Sequence, residues 1–259
     1  DKELIFKWIN HRVLFRQRWG YKRGKQDAAK FLKYEEDVVE PTYQTLKAEL
    51  LDKNIFEPIA IYAYYPCISW DNKIYIFDKK YLFNSLEEAK NVPPLSEAIK
   101  VLEFPRQKRK PFRCIADFFA NDRLDVIAFT LASAGLKISD YERSLYDKGE
   151  FTKYYQVHGL GVELAEALAE VLHKQIRLDL DIVPKEGHTL NDVQMKQYVG
   201  CRYSPGYAAC PDLAMNRDIF DLLNPEEFGI ELSETFQMHP EQTTCAIVVT
   251  HKEANYYNI

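Results

Sequence analysis

From about residue 151 to residue 180 the chain carries one unbroken helical stripe. Val157, Leu160, Leu164, Leu168, Leu172 and Ile176 fall on one side; Glu163, Glu166, Glu170, Lys174 and Arg177 fall on the other. At 1.5 Å per residue such a helix is about 40 Å long. The apolar stripe must be buried along that length, so the rest of the chain has to supply an extended apolar surface.

The period of the pattern shows where that surface comes from. Leu4, Ile5, Trp8, Ile9, Val13 and Leu14 recur at helical spacing and predict a helix over 3–17. Residues 21–26 read as a loop. Helical signal returns over 28–53, with Val38, Tyr43, Leu46 and Leu50 as its stripe. Pro41 lies inside it and splits it into two helices, because proline lacks the amide donor a helix interior uses. After about residue 55 the period shortens. Ile59 to Tyr65 is β-branched and aromatic and ends at Pro66, while Lys73 to Phe77 alternates. Asp71 and Asn72 between them supply turn chemistry, so the two runs form a hairpin. Val101 to Phe104 is a short strand, and Val126 to Ser133 is apolar enough to lie centrally in a sheet. Helices are predicted over 139–147 and 211–223, with a short one opened by Thr189 as cap. Three strand-like runs close the chain: 230–238, 243–250 and 255–259. No repeat or linker interrupts this order. The reading is an α+β fold over 1–259, with a helical part at about 1–55 and a mixed sheet and helix part at about 56–259.

Composition removes several function classes. The 259 residues hold only ten glycines, and neither GxGxxG nor GxxxxGK[ST] occurs, so Gly-rich nucleotide loops are unsupported. GxSxG is also absent. The six histidines (His11, His158, His173, His188, His239, His251) show no HExxH spacing, so no metal site is read from them. Five cysteines without a CxxC pair read as reduced thiols, which fits a cytoplasmic protein. No apolar run approaches the roughly 18 residues of a membrane span. Eight Lys/Arg against Asp1 and Glu3 make residues 1–25 basic, and Arg106, Lys108, Arg109, Lys110 and Arg113 form a second basic run. Net charge is nevertheless −5, and the acidic remainder would repel a phosphate backbone, so nucleic acid is not expected as a partner. The first residue is Asp1, which suggests a chain processed or cut from something longer.

One segment concentrates chemistry. Arg202-Tyr-Ser-Pro-Gly-Tyr-Ala-Ala-Cys-Pro-Asp212 places Pro205, Gly206 and Pro211 among an Arg, two Tyr and a Cys. Such a stretch makes a rigid irregular loop that either points groups at a ligand or simply joins a strand to a helix.

Five segments, in the family's order along the chain, resemble the reactivation domain of cobalamin-dependent methionine synthase, the part that binds S-adenosylmethionine. Arg202 to Pro211 is similar to that family's Arg-x-x-Pro-Gly-Tyr-Pro-Ala-Cys-Pro, with Ala208 in place of a proline. Ala116-Asp117-Phe118 follows a basic stretch as in the family. Leu164 to His173 resembles its Leu-Ala-Glu-Ala-x-Ala-Glu-x-Leu-His helix. Ser233 to Pro240 and Tyr256-Tyr257 match its C-terminal motifs.

The resemblance implies a C-shaped domain built on a twisted antiparallel sheet flanked by helices. It implies S-adenosylmethionine bound by Asp117, Glu166, Arg202, Tyr256 and Tyr257, with Tyr207 near the corrin face of cobalamin. These residue types suit the ligand: carboxylates for its ammonium and sulfonium, an arginine for its carboxylate or its adenine edge, and tyrosines that offer aromatic faces and hydroxyls. The implied activity is methyl transfer from S-adenosylmethionine to cob(I)alamin during reductive reactivation of a homocysteine-methylating enzyme. The cofactors carry that chemistry and the protein supplies geometry, so no general base is expected. Nothing here resembles the Asp-x-His-x-x-Gly cobalamin ligand motif, so cobalamin is expected on a separate domain. The implied partners are that cobalamin-binding domain and a flavodoxin-like electron donor. Arg16 and Arg18 of the basic N-terminal region are candidates to meet such an acidic donor. A stand-alone S-adenosylmethionine-binding module, or an activator of another corrinoid protein in trans, is the rival reading. A nucleic-acid methyltransferase is a third, which the scarcity of glycine already opposes.

Overall fold

The computed structural model describes residues 1–182, 189–194 and 197–259. Eight strands are present among them: β1 Ile59–Trp70, β2 Lys73–Ile76, β3 Lys100–Glu103, β4 Asp125–Ser133, β5 Cys201–Tyr203, β6 Glu231–Leu232, β7 Met238–His239 and β8 Thr243–Val249. Six of them form one curled antiparallel sheet, ordered β3-β2-β1-β4-β8-β5. The Asp71-Asn72 turn joins β1 to β2 as predicted, with Trp70 opposite Lys73. β4 lies between β1 and β8, the central place its apolar sequence called for.

β1 runs straight through Pro66 and on to Trp70. Pro66 accepts the Phe77 amide at 2.9 Å, just past the last β1–β2 pair. The donor it lacks would have faced the end of that ladder, where a missing amide does least harm.

The helices are α1 Lys2–Lys7, α2 His11–Val13, α3 Ala28–Tyr34, α4 Glu40–Asp52, α5 Leu86–Ala89, α6 Leu136–Asp147, α7 Phe151–Asp179, α8 Leu190–Gln194 and α9 Met215–Leu223. α7 is the long helix; its 29 residues span about 43 Å. Every residue of the predicted stripe, Val157 to Ile176, is buried. Burying each such side chain contributes about 1.5–3 kcal/mol. α7 packs on the sheet face where β4 presents Ala128 and Ala132, small side chains that let the helix approach. The larger alternate residues Ile127, Phe129 and Leu131 face the opposite side and pack with Ile219, Phe220 and Leu223 of α9.

Other boundaries depart from the sequence reading for local reasons. The helix expected over 3–17 is cut after Lys7, because the Asn10 side chain accepts the Val13 amide and starts α2 afresh. α2 then widens into a π-turn at Leu14–Arg18. The 28–53 helix is interrupted as expected, but by a π-turn at Glu35–Val39, which leaves Pro41 harmlessly in the first turn of α4. α6 starts three residues earlier than predicted, after Gly135 at φ +92°. Residues 230–238 are not one strand: β6 and β7 form a small two-stranded ribbon, closed where Ser233 Oγ accepts the Gln237 amide at 3.0 Å. Thr189 does cap α8: it accepts the Asp192 amide, and Asp192 in turn accepts the Thr189 amide at 2.8 Å. Residues 255–259 make no strand.

The polar side of α7 is also covered. The N-terminal helices lie over it: Trp19 donates its indole N–H to the Gln156 carbonyl at 2.8 Å, and Gly159 leaves room for the Trp19 ring. Glu163 and Arg177 are consequently buried.

Candidate functional site

The site grows from β5. Its residues alternate, so Cys201 and Tyr203 enter the α9-side core while Arg202, opposite Val248, turns toward α7. Gly200 sets up this approach at φ +93°; a Cβ there would stand 2.5 Å from the Val249 carbonyl oxygen. Beyond β5 the chain doubles back within seven residues. Gly206 donates to the Cys210 carbonyl at 2.8 Å, and Cys210 donates to the Tyr207 carbonyl at 2.9 Å. Gly206, at φ +88°, makes the reversal, and Tyr207 is left at its tip, 70% exposed. Of the two readings of the 202–212 loop, it is a self-supporting turn that also walls a cavity.

The C-terminal tail forms the other wall. With no strand pairing, it is tied down by side chains. Tyr203 donates its hydroxyl hydrogen to the Asn255 carbonyl at 2.7 Å, and Gln107 donates to the Asn258 carbonyl at 2.6 Å. Arg113 reaches the Asn255 side chain at 3.0 Å. Tyr256 and Tyr257 straddle Tyr203, their ring centroids 6.1 and 6.2 Å from it.

Between these walls opens a cleft of about 540 Å³. Glu166, Arg202, Tyr207, Tyr256 and Tyr257 all line it, as do Ser204 and Asn258. That is the size of a pocket for a nucleoside-sized molecule. Arg202 holds Glu170 at 2.6 Å and stands 3.7 Å from Glu166. Burial opposes its charge, but Glu170 and Glu166 outweigh burial and raise its pKa. Its Nε is buried without a hydrogen-bond partner among the described residues, and so is the Tyr257 hydroxyl. Such atoms are the natural anchors for a polar ligand, since leaving them unpaired costs about 1–3 kcal/mol each.

Five of the six expected residues therefore meet in one cleft. Asp117 does not line it. It sits in a 3₁₀ turn at Ile115–Phe118, accepts the Cys114 amide at 2.9 Å, and holds Arg106 by two hydrogen bonds of 2.6 and 2.7 Å. It lies close enough to Tyr257 for its charge to act on that phenol.

Residues missed by the sequence reading lie behind the cleft. Glu166 and Tyr256 also border a second cavity of about 330 Å³, lined by Trp8, Arg18, Glu163, Glu170 and Tyr198. Burial pushes the Glu163 carboxyl up to about 7, with Arg18 at 3.5 Å opposing and Glu166 adding to the rise. Deeper still, the Arg177 guanidinium lies 4.6 Å over the Tyr198 ring. His173 meets the same ring edge-on at 5.3 Å, and burial together with Arg177 and Arg202 lowers its pKa. The helical spacing of 163, 166, 170 and 177 was the available signal for this shared face.

The N-terminal basic patch is reduced by the fold. Arg16 is held by Glu35 at 2.8 and 2.7 Å, and Arg18 by Glu163, so neither is a free cation awaiting an acidic partner. Among the described residues no group of three His, Cys, Asp or Glu is placed to hold a metal, and no helix is long and apolar enough to cross a membrane. His188 lies outside the described residues.

Residues 5–259 match the family described as "Vitamin B12 dependent methionine synthase, activation domain". The chain is 34% identical to methionine synthase of Mycobacterium tuberculosis (strain ATCC 25618 / H37Rv) over 271 residues. It is 34% identical to methionine synthase of Mycobacterium leprae (strain TN) over 270. Each alignment takes in 97% of this chain but only 21% of the relative, so the chain spans about a fifth of those proteins. Its fold matches a crystal structure titled as the MetH reactivation domain bound to AdoHcy, with a TM-score of 0.84 at 22% identity, over 100% of this chain and 78% of the other. The motif order along the chain, the curled sheet with its long helix and a family match across nearly every residue agree: the chain belongs to the activation domain family of vitamin B12-dependent methionine synthase.

Proposed function

We propose that residues 1–259 act as one unit that binds S-adenosylmethionine in the Arg202 cleft and presents its methyl group for the reductive reactivation of methionine synthase. The observation that carries this reading is the cleft itself. It holds an arginine whose Nε and a buried phenol whose hydroxyl have no hydrogen-bond partner among the described residues, together with an exposed-edge glutamate and an aromatic wall. Those are the complements of a carboxylate, a ribose or adenine edge, an ammonium and a flat base. The MetH reactivation domain, a protein of the same fold, binds AdoHcy in its crystal structure, the demethylated form of the same ligand.

In this reading Arg202 takes the ligand's carboxylate and Glu166 its ammonium or sulfonium. Tyr256 and Tyr257 pack on the nucleoside. Asp117 already belongs to Arg106, so a cationic ligand group would have to share it with that guanidinium. Cobalamin, held on its own domain, would supply the nucleophile for that methyl group. The work of this chain is to bind the donor and hold its methyl toward the open side of the cleft, where Tyr207 stands exposed. Placement of this kind contributes about 7–11 kcal/mol in favourable cases, and it needs no proton transfer. The cobalamin-binding domain and a flavodoxin-like electron donor are the partners this reading requires.

Calorimetry with S-adenosylmethionine and with S-adenosylhomocysteine tests the proposal directly. Saturable one-site binding to the chain is expected. A flat titration with both compounds at millimolar concentration would refute the assignment.

A further inference from the structure

Glu170 is the carboxylate that the cleft does not use. It faces the cavity behind, yet its Oε1 accepts from Arg202 Nη2 at 2.6 Å, the shortest contact that arginine makes. Its Oε2 is buried and has no hydrogen-bond partner among the described residues. Glu166, one helical turn earlier, stands 3.7 Å from the same Nη2 and does line the cleft. Two carboxylates thus compete for one guanidinium, and the one that does not line the cleft holds it.

The arrangement has a chemical consequence. If Arg202 closed onto Glu166, the cleft's cation and its carboxylate would neutralise each other. An amino-acid ligand would then have to break that pair before either of its own charges found a partner. With Arg202 drawn back onto Glu170, Glu166 remains available for a cation and Arg202 Nε for an anion. Arg202 is also buried, and a guanidinium there needs a counter-charge to stay ionised.

Resting on the proposed S-adenosylmethionine site, we propose that Glu170 is a positioning residue. It anchors Arg202 away from Glu166, so that the cleft keeps separate places for the carboxylate and the ammonium of an amino-acid-bearing nucleoside. It does not itself touch the ligand.

The test compares two ligands on one folded protein: S-adenosylhomocysteine, which carries the amino-acid group, and 5′-methylthioadenosine, which lacks it. Glu170→Gln keeps the side-chain shape and an acceptor for Nη2 while removing the charge. It is expected to weaken S-adenosylhomocysteine by about tenfold, as loss of a charged hydrogen-bond partner does, while 5′-methylthioadenosine changes less than about twofold. Glu166→Gln should also lose less affinity in the Glu170→Gln background than in the parent, because Glu166 is already tied to Arg202 there. Glu170→Asp keeps the charge but sits one methylene short of Arg202, so it should shift the two-ligand ratio in the same direction as Glu170→Gln, and by less. Equal weakening of both ligands would mean Glu170 only supports the fold, and would overturn the inference. So would parental affinity for both compounds in Glu170→Gln. A parent that binds neither would remove the site assignment itself, a different and distinguishable failure.

Discussion

Two clusters in this molecule tie carboxylates to cations across the fold, and they are built differently. Glu49 of α4 holds Lys53 at 2.5 Å and Lys153 of α7 at 2.8 Å, and accepts the Tyr141 hydroxyl of α6 at 2.6 Å. Its carboxylate has a partner on every side, and it joins three helices. Glu170 and Arg202 join α7 to the edge of the sheet, but they leave Oε2 of one and Nε of the other buried without partners among the described residues. The first cluster is finished by the chain alone; the second has capacity left over. A network that only braces a fold gains nothing from unsatisfied buried atoms, so the surplus in the second cluster supports the proposal that the cleft beside it takes a ligand.

The contrast is most exposed to Arg202→Ala. It removes the cleft's cation and strands Glu170, and breaking a buried pair from one side costs about 3–5 kcal/mol of stability. Affinity for S-adenosylhomocysteine should fall by about a hundredfold, as for loss of a charged hydrogen-bonding partner. Parental affinity in this variant, read by calorimetry, would erase the distinction between the clusters.

Glu49→Ala should do the reverse. Loss of hydrogen bonds to charged groups lowers stability by about 1–3 kcal/mol, with ligand affinity unchanged. Its pH signature is specific. Burial raises the Glu49 carboxyl, but Lys153, Lys53 and Tyr141 outweigh burial and bring it down from 4.5 to about 2. A carboxylate depressed in the folded state adds stability above its unfolded pKa and loses it as pH falls through the folded one. The brace is therefore intact above pH 4.5 and fades between 4.5 and 2. Denaturant unfolding in that window should show a shallower acid loss for Glu49→Gln than for the parent; identical slopes would show that Glu49 is no brace.

The smallest effect sharpens the comparison most. Tyr257→Phe deletes a buried hydroxyl that has no partner among the described residues. Melting temperature should hold or rise slightly, while affinity drops by about 0.5–1.5 kcal/mol, one neutral hydrogen bond. A drop in stability with unchanged affinity would place that hydroxyl in the brace category.

How much of this was legible beforehand varies with the cause. The stripe of α7, the β1–β2 turn and the central place of β4 follow from period and turn chemistry, which are local. The continuous helix expected over 3–17 failed because one side chain, Asn10, offered a cap in mid-pattern. How far β1 continues past Pro66 was not legible, because the harm a proline does depends on which side of the ladder it faces, and that depends on the partner strand. The site divides in the same way. Arg202, Glu166, Tyr256 and Tyr257 were readable through resemblance, and they do share a cleft. Glu170 was grouped with the polar side of the helix, since nothing local reveals that an N-terminal helix layer and a distant arginine will close over it.

The sequence by itself determined the alternation of helix and strand, the long helix, the absence of glycine-rich nucleotide loops and the motifs that carry the family. These depend on neighbours within a few residues. Tertiary structure alone decided the pairing. It paired Asp117 with Arg106, turned Arg16 and Arg18 inward onto Glu35 and Glu163, and placed Glu170 rather than Glu166 on Arg202. A charge finds its partner across 11 to 145 residues of chain in these contacts. Such choices are made by which surfaces the hydrophobic core brings together, and no local pattern records them.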